Sequence, residues 1–154
     1  MTKGYIGLGS NLGDRKANLQ RALELLTENR VEILRVSDFI VTKPFGVTDQ
    51  PDFLNGVVEI AWEKTPEELL DILLKVERDM GRIRQRHWGE RNIDLDLLLL
   101  GDAILTTPSL TLPHPGIAER AFVLEPLFQL APKLMHPVKH KTISQLWADL
   151  RKGE

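Results

Sequence analysis

The spacing of apolar residues near the start of the chain predicts a strand and then a helix. Residues 5–9 are mostly apolar and lead into 10–13, a turn rich in residues that tolerate unusual backbone angles. Asp14 is suited to cap the helix that follows, which we expect to end near Asn29. Its apolar residues recur at the i, i+3, i+4 and i+7 spacing of one helical face: Leu19, Ala22, Leu23 and Leu26.

Two β-rich segments and a second helix come next. Residues 31–42 predict one strand, and residues 53–62 predict a second that pairs with it across a loop. Thr65, Pro66 and Glu68 then form a capping-box pattern, which is typical of a helix start. Its apolar residues continue on one face: Leu69, Ile72, Leu73, Val76 and Met80. Gly81 should end the helix.

The last strong strand is predicted over residues 92–100, so the order up to that point is β-α-β-β-α-β. This order favours an α+β fold, a ferredoxin-like sandwich with two helices on one face of an antiparallel sheet. A Pro-interrupted segment follows, then a helix over 118–130 that Pro126 should bend or break, and a short helix over 143–150. We therefore expect one domain over residues 1–154 with C-terminal helical additions.

The composition is that of an ordinary globular protein, and it excludes some classes of binding partner and site. With 154 residues, the chain is expected to form a single core. A net charge of −2 leaves no global cationic field for nucleic acid or an anionic membrane. The chain has no Cys, which excludes a disulfide scaffold, a thiolate metal site and a Cys nucleophile.

The N-terminus and the apolar stretches favour a cytoplasmic location. Residues 1–5 lack the apolar segment of a signal peptide. The longest strongly apolar stretch, residues 95–100, is interrupted by Asp96 and is much shorter than the ~18 residues of a membrane-spanning helix. We expect a cytoplasmic monomer that acts on small molecules, with no nucleic-acid or membrane partner.

Asp94 and Asp96 lie two positions apart in the predicted strand over residues 92–100. Alternate side chains of a strand share a face, so the two carboxylates would lie about 6 to 7 Å apart. Carboxylates at this spacing suit one or two Mg²⁺ ions, which take their remaining ligands from water and substrate phosphate. The alternative is a pair of solvated aspartates on a half-exposed strand. The intervening apolar residues would enter the core: Leu95, Leu97 and Leu99.

A basic segment over residues 81–91 directly precedes this pair. It contains four arginines and a histidine, namely Arg82, Arg84, Arg86, Arg91 and His87. The planar guanidinium group suits polyphosphate, and the glycines at 81 and 89 would let the segment move as a lid. The alternatives are a solvated basic loop and an RNA-contacting loop in which Trp88 stacks on a base. Arginines that lead into a carboxylate pair favour a metal-nucleotide site for phosphoryl transfer.

Two further groups of residues suggest binding surfaces. His114 is held between two prolines, and Arg120 lies about one and a half turns beyond it. Phe45, Phe53 and Asn55 could stack against a planar heterocycle and read its polar edge. The alternatives are an incidental histidine in a proline-fixed turn, and phenylalanines that belong to the core.

The glycines of residues 7–13 invite comparison with a phosphate-binding loop. The segment lacks the Gly-Lys-Ser/Thr ending of a P-loop, and its glycines do not follow the Gly-x-Gly-x-x-Gly spacing. We therefore interpret it as a turn.

Four segments in order resemble the 6-hydroxymethyl-7,8-dihydropterin pyrophosphokinase family of folate biosynthesis. They are residues 5–13 (YIGLGSNLG), 49–55 (DQPDFLN), 87–96 (HWGERNIDLD) and 113–124 (PHPGIAERAFVL). The resemblance implies transfer of the terminal pyrophosphate of ATP to the hydroxymethyl group of the pterin, with release of AMP. It also implies that Asp94 and Asp96 hold two Mg²⁺ ions that bridge the triphosphate.

The resemblance also implies roles for other residues. Two arginines match catalytic loop residues that neutralise charge: Arg82 and Arg91. Five residues match nucleotide contacts: Glu77, Arg84, Thr111, His114 and Arg120. Seven residues match the pterin site: Thr42, Pro44, Phe45, Phe53, Asn55, Trp88 and Phe122.

Two functions of other classes stay open at the level of sequence. One is a ferredoxin-like RNA-binding module, although the net charge and the acids on the strand face argue against it. The other is a nucleotide-sensing domain that binds ATP without turnover.

Overall fold

A computed structural model of the chain describes residues 1–43, 51–81 and 92–153. In this part of the chain, the elements up to residue 100 follow the predicted order, except that two strands replace the one strand predicted over residues 31–42. The strands are β1 (Thr2–Ser10), β2 (Glu32–Val36), β3 (Ile40–Thr42), β4 (Phe53–Trp62), β5 (Asp94–Leu100), β6 (Leu105–Thr106) and β7 (Thr111–Leu112). The helices are α1 (Arg15–Glu28), α2 (Pro66–Asp79), α3 (Ala121–Leu130) and α4 (Ile143–Lys152), and a 3₁₀ turn spans Ile117–Glu119.

The main sheet is antiparallel, with the strand order β2-β4-β1-β5 and with β3 also paired to β4. The first helix connects β1 to the far edge of the sheet, and the second connects β4 to the opposite edge. Each connection skips one strand position, which is the split β-α-β arrangement of ferredoxin-like folds. The predicted fold class is therefore confirmed.

Local capping explains why three of the helices start where they do. The Asp14 side chain accepts a hydrogen bond from the amide of Ala17 at 3.1 Å. Thr65 and Glu68 form the predicted capping box of α2. An equivalent box between Thr142 and Gln145, which we did not predict, begins α4.

Helices cover both faces of the sheet. The α1–α2 core lies on one face, and its buried members include Ile6, Leu8, Leu19, Leu26, Val58, Ile60, Leu73, Leu95 and Leu97. The α3–α4 core lies on the other face, and its buried members include Tyr5, Val57, Leu98, Leu99, Leu124, Leu127, Ile143 and Leu146. Because β4 is sandwiched between the two cores, every residue from Asn55 to Trp62 is buried.

The segment predicted as one strand over residues 31–42 consists of two strands, β2 and β3. Between them, the Ser37 hydroxyl accepts a hydrogen bond from the amide of Val57 at 2.8 Å. The next amide, that of Asp38, donates to the Gln129 side chain of α3 at 2.8 Å. The strand is interrupted because this amide bonds to a helix instead of to β4.

A β-bulge changes the prediction for β5. Leu95 and Leu97 enter the α1–α2 core as expected, but Leu99 lies in the α3–α4 core. The register shifts between Tyr5 and Ile6, which pair with Leu99 and Leu97 respectively, so Leu98 is the extra residue. The prediction that Leu99 faces the same core as Leu95 is wrong, because alternation fails at a bulge.

The C-terminal region also departs from the sequence prediction. The helix predicted over 118–130 is a 3₁₀ turn followed by α3, and the break falls at Arg120, which has an extended backbone. Pro126 lies inside α3 without interrupting it. The short β6–β7 hairpin was not predicted, because each of its strands has only two residues.

An ion pair between the buried Glu59 and the half-exposed Arg35 joins the sheet to α3. The Tyr5 hydroxyl donates to Glu59 Oε2 at 2.6 Å, and Arg35 donates to both Glu59 oxygens at 3.0 and 3.1 Å. Arg35 also donates to the carbonyl of Leu130 at the end of α3. The Arg35 hydrogen bond lowers the pKa of Glu59, and burial raises the pKa of the Tyr5 phenol. The carboxylate is therefore retained in its charged form inside the fold.

We expect Glu59→Gln to reduce the free energy of unfolding by about 2 kcal/mol, because charge-assisted hydrogen bonds are lost at a buried site. The folded-state pKa of Glu59 lies below its ordinary value of 4.5. The contribution of Glu59 is thus fully present above that pH and is lost as the pH falls through the folded-state pKa. Urea unfolding at several pH values measures the difference between the variant and the parent.

The exposed Glu63 offers a matched control, and Glu63→Gln should change stability by less than about 0.5 kcal/mol. A Glu59→Gln chain as stable as this control at pH 7 would contradict the role of the ion pair.

Candidate active site

Two glycines of the central strand leave a trough on the α3–α4 face of the sheet. Gly9 pairs with Asn55 on one side and Asp94 on the other, and Gly7 pairs in the same way with Val57 and Asp96. Because neither glycine has a side chain, the space above β1 stays open between its neighbours. We call this space the glycine trough, defined by Gly7, Gly9, Asn55, Val57, Asp94 and Asp96.

The trough is narrow, and aromatic residues lie beside it. Its enclosed volume is about 30 Å³, room for one or two water molecules, so a larger ligand would place only an edge in it. Phe122 and Val123 of α3 complete the wall. Phe53 lies close to Gly9, since a Cβ built on that glycine would be 3.5 Å from its ring. The aromatic rings therefore offer flat apolar surfaces next to a polar floor.

The side chain of Asn55 is buried and held in place at one end of the trough. Its Nδ2 donates a hydrogen bond to the Thr42 hydroxyl of β3. Its Oδ1 lies above Gly9, only 2.7 Å from the position that a Cβ there would take. The amide thus presents its acceptor oxygen toward the middle of the trough.

Asp94 and Asp96 are half-buried at the other end, on the same face of β5 as the sequence predicts. In the described part of the chain, no group of three or more His, Cys, Asp or Glu residues could hold a metal ion. Two carboxylates suit Mg²⁺, which takes its other ligands from phosphate oxygens and water. The donor set therefore fits a cation that arrives with a phosphorylated substrate.

A second cavity opens on the other side of Asp96. It has a volume of about 290 Å³ and lies between β5, the β6–β7 hairpin and Leu70 of α2. We call it the hairpin cleft. Its polar wall consists of Asp96, Thr107, Ser109, Thr111 and His114. Asp96 also lines the glycine trough, so one carboxylate is shared by the two cavities.

His114 is neutral and has a defined tautomer. Burial lowers the pKa of its imidazole below the ordinary 6.5, and the Arg120 charge lowers it further, whereas Asp94 acts in the opposite direction. Its Nδ1 accepts a hydrogen bond from the amide of Gly116 at 3.0 Å, so the ring proton is on Nε2. The backbone amide of His114 donates to Leu98 at 2.9 Å, which attaches it to β5. The ring can therefore act as a hydrogen-bond donor in the hairpin cleft.

Glu77 and Arg120 lie beside these cavities. In the described part of the chain, neither residue is among those that line them. Glu77 is buried, and its carboxylate accepts the amide of Leu95, between the two aspartates, at 2.9 Å. The Arg120 guanidinium carbon lies 5.9 Å from the centre of the Phe122 ring, within reach of a cation–π interaction. Their predicted nucleotide roles stay predictions.

The structure thus brings together most of the predicted site residues that it describes. One end of the trough is surrounded by four of them: Thr42, Asn55, Phe53 and Phe122. Two others line the cleft on the far side of Asp96, namely Thr111 and His114. Six predicted site residues lie outside the described residues: Pro44, Phe45, Arg82, Arg84, Trp88 and Arg91.

Our sequence reasoning missed the contribution of Gly7 and Gly9. The strand expected over residues 5–9 is confirmed, and both glycines lie within β1. However, we interpreted residues 7–13 only as a turn and assigned these glycines no role in a binding site. Their spacing of two residues was the available signal, because residues i and i+2 of a strand share a face. The apolar lining of the hairpin cleft was also missed, because it combines residues from separate elements: Leu70, Leu95, Leu97 and Leu110.

Comparison with known proteins identifies relatives along most of the chain. A family model described as 7,8-dihydro-6-hydroxymethylpterin-pyrophosphokinase matches residues 5–132. A 2-amino-4-hydroxy-6-hydroxymethyldihydropteridine pyrophosphokinase from Haemophilus influenzae is 42% identical over 138 residues, covering 89% of this chain and 86% of that protein. A protein of the same name from Methylorubrum extorquens is 46% identical over 137 residues, covering 88% and 86%.

Solved structures of other proteins share the fold of this chain. A structure described as HPPK-DHPS in complex with substrates matches with a TM-score of 0.77 at 13% identity. It covers 99% of this chain, which spans only 44% of that longer chain. The Plasmodium falciparum HPPK-DHPS with pteroate gives a TM-score of 0.77 at 15% identity, covering 96% of this chain and 42% of that one. At this level of identity, these similarities concern the fold alone.

Among the helices in the described ranges, none combines the length and the apolar character needed to cross a bilayer.

The trough geometry predicts different effects for two glycine substitutions. A Cβ on Gly9 would collide with the Asn55 side chain at 2.7 Å, whereas one on Gly7 would meet Leu98 at an ordinary 3.6 Å. We expect Gly9→Ala to cost about 1 kcal/mol, since Asn55 must leave its hydrogen bond to Thr42. Gly7→Ala should be neutral or stabilising by about 0.5 kcal/mol. Thermal unfolding of both variants measures the difference, and equal stabilities would contradict it.

Proposed function

The chain belongs to the 7,8-dihydro-6-hydroxymethylpterin-pyrophosphokinase family, and on that premise we propose how its site performs the reaction. The protein is a diphosphotransferase of folate biosynthesis, which transfers pyrophosphate from ATP to 6-hydroxymethyl-7,8-dihydropterin and releases AMP. In this reaction the hydroxymethyl oxygen attacks the β-phosphorus of ATP, and the bond from that phosphorus to the AMP oxygen breaks.

The position of Asp96 carries the assignment of substrates to cavities. The carboxylate lines both the glycine trough and the hairpin cleft. A reaction between two substrates requires their reacting atoms to meet, and phosphoryl transfer also requires charge neutralisation at that point. We assign ATP to the cleft and the pterin to the trough, so that the phosphates reach the boundary at Asp96.

The pterin-binding assignment is supported by the polar floor of the trough and by the aromatic rings beside it. Phe53 and Phe122 offer flat faces for a bicyclic ring, and the Asn55 oxygen can accept a hydrogen bond from a ring N–H or amino group. Thr42 holds the Asn55 amide in the required orientation. The proposal extends to three residues outside the described ranges: Pro44, Phe45 and Trp88.

The nucleotide assignment is supported by polar groups in and beside the hairpin cleft. Thr111 and His114 line it, and the His114 Nε2–H is available to donate to a phosphate oxygen. Arg120 adds positive charge next to the neutral imidazole. Glu77 is the remaining described residue among those predicted to contact the nucleotide. Its hydrogen bond to Leu95 fixes the backbone between Asp94 and Asp96, so we expect it to hold the carboxylates in place.

The charge of the triphosphate requires cations as well as these donors. We propose that Asp94 and Asp96 hold two Mg²⁺ ions, which supply the electrostatic stabilisation of the transferred group when bound. The two carboxylates on one strand face support this assignment. We also propose that three arginines help to neutralise the triphosphate: Arg82, Arg84 and Arg91. Their charge and their sequence position just before the carboxylate pair support this role.

The same proposal includes the state and location of the protein. We expect a cytoplasmic monomer, without nucleic-acid or membrane partners. An RNA-binding role is disfavoured, because α3 and α4 cover much of the sheet face beside the trough and the acids line the remainder.

The reaction type is tested by its products. We expect purified protein with Mg²⁺, ATP and 6-hydroxymethyl-7,8-dihydropterin to release AMP, and to do so only when the pterin is present. Chromatography that separates AMP from ADP makes the measurement. Release of ADP would indicate attack on the γ-phosphorus, and binding of ATP without either product would instead favour a nucleotide-sensing domain.

The role of the carboxylates is tested by Asp96→Asn. We expect turnover to fall by about 10²- to 10³-fold, because charge stabilisation of the transferred group is lost, while the melting temperature stays close to that of the parent. The exposed Asp102, on the turn after β5, provides the matched control Asp102→Asn, which should retain full turnover. Near-normal turnover of Asp96→Asn would argue against the metal assignment.

A further inference from the structure

Gly116 lies at the start of the 3₁₀ turn, between His114 and Arg120, and it is buried. Its backbone angles, φ −91° and ψ 1°, are accessible to alanine and other residues. This separates it from Gly13, Gly81 and Gly101, whose positive φ values favour glycine for conformational reasons. The absence of a side chain at Gly116 therefore has to be explained by its surroundings.

The Arg120 side chain occupies the space that a side chain on Gly116 would need. A Cβ built on Gly116 would lie 2.6 Å from Nε, 2.8 Å from Cζ and 3.1 Å from Cδ of Arg120. These distances are well below van der Waals contact, so the guanidinium group rests directly against the Gly116 backbone. Its carbon is also 5.9 Å from the centre of the Phe122 ring. The guanidinium therefore lies close both to the glycine and to a residue of the trough wall.

The amide of Gly116 acts on a second residue of the same site. It donates a hydrogen bond to Nδ1 of His114 at 3.0 Å, and this bond leaves the Nε2 of the neutral ring as the donor. His114 is held on its other side by the bond from its own amide to Leu98. One glycine therefore contacts both a guanidinium group and an imidazole that lie beside the proposed nucleotide cleft.

We propose that Gly116 is a positioning residue for nucleotide binding. It seats the Arg120 guanidinium through its missing side chain and orients the His114 ring through its amide, so that both groups face the triphosphate together. The inference rests on the proposed function, in which Arg120 and His114 contact ATP. Gly116 itself touches neither substrate.

The substitution Gly116→Ala isolates the steric part of this role. It keeps the amide that bonds His114 and adds only the methyl group that displaces Arg120. The fold should tolerate it, because the displaced atoms are the flexible end of a side chain. We expect the Kd of a non-hydrolysable α,β-methylene analogue of ATP, measured in the presence of Mg²⁺, to rise about tenfold. The reason is that one charge-assisted contact is lost.

A double-mutant cycle with Arg120→Ala separates positioning from a general structural effect. In the Arg120→Ala background there is no guanidinium to displace, so adding Gly116→Ala should change the Kd by less than about twofold. Calorimetric titration gives the four Kd values, and thermal unfolding confirms that each variant folds. Gly153→Ala serves as the control glycine, because its Cβ would meet only Leu150 at an ordinary 3.5 Å.

The outcomes distinguish a failure of the positioning role of Gly116 from a failure of the nucleotide role of Arg120. If Arg120→Ala weakens binding but Gly116→Ala does not, or if Gly116→Ala costs the same in both backgrounds, the positioning role is overturned and the proposed function stands. If Arg120→Ala leaves the Kd unchanged, the nucleotide role of Arg120 fails, and the positioning role of Gly116 fails with it.

Discussion

A sheet that is covered by helices on both faces leaves little room for a ligand, and the two glycines of β1 supply that room here. Ile6 and Leu8 point into the α1–α2 core, while the alternate positions Gly7 and Gly9 carry no side chain. The neighbouring strands place an amide and two carboxylates along the gap that results. The site therefore depends on side chains that are absent from the central strand as much as on those that are present beside it.

The bulge in β5 makes this arrangement compatible with packing. Asp94 and Asp96 must stay on the open face, whereas the end of the strand has to be apolar on both faces because helices cover it. The extra residue at Leu98 lets two successive leucines enter the α3–α4 core before Leu100 returns to the other one. The strand thus changes from a half-polar to a fully buried element within seven residues.

Glycine serves the site a second time at Gly116. In β1 the missing side chains leave space for a ligand, and at Gly116 the missing side chain leaves space for Arg120. Both cases show why an active site that handles a polyphosphate cannot be understood from its charged residues alone. Cations and carboxylates exert their effects over a few ångströms, so small residues that set their positions contribute to binding and catalysis.

The sequence by itself determined the elements whose signals are local. The apolar spacing of α1, the capping box of α2 and the alternation that puts Asp94 and Asp96 on one face all depend on residues within a few positions of one another. Four matching segments also identified the family before any contact was known. Tertiary structure decided features that depend on distant residues: the interruption at Asp38, the side on which Leu99 is buried, and the sharing of Asp96 by two cavities. No local pattern encodes them, because each depends on the strand or helix that packs against it.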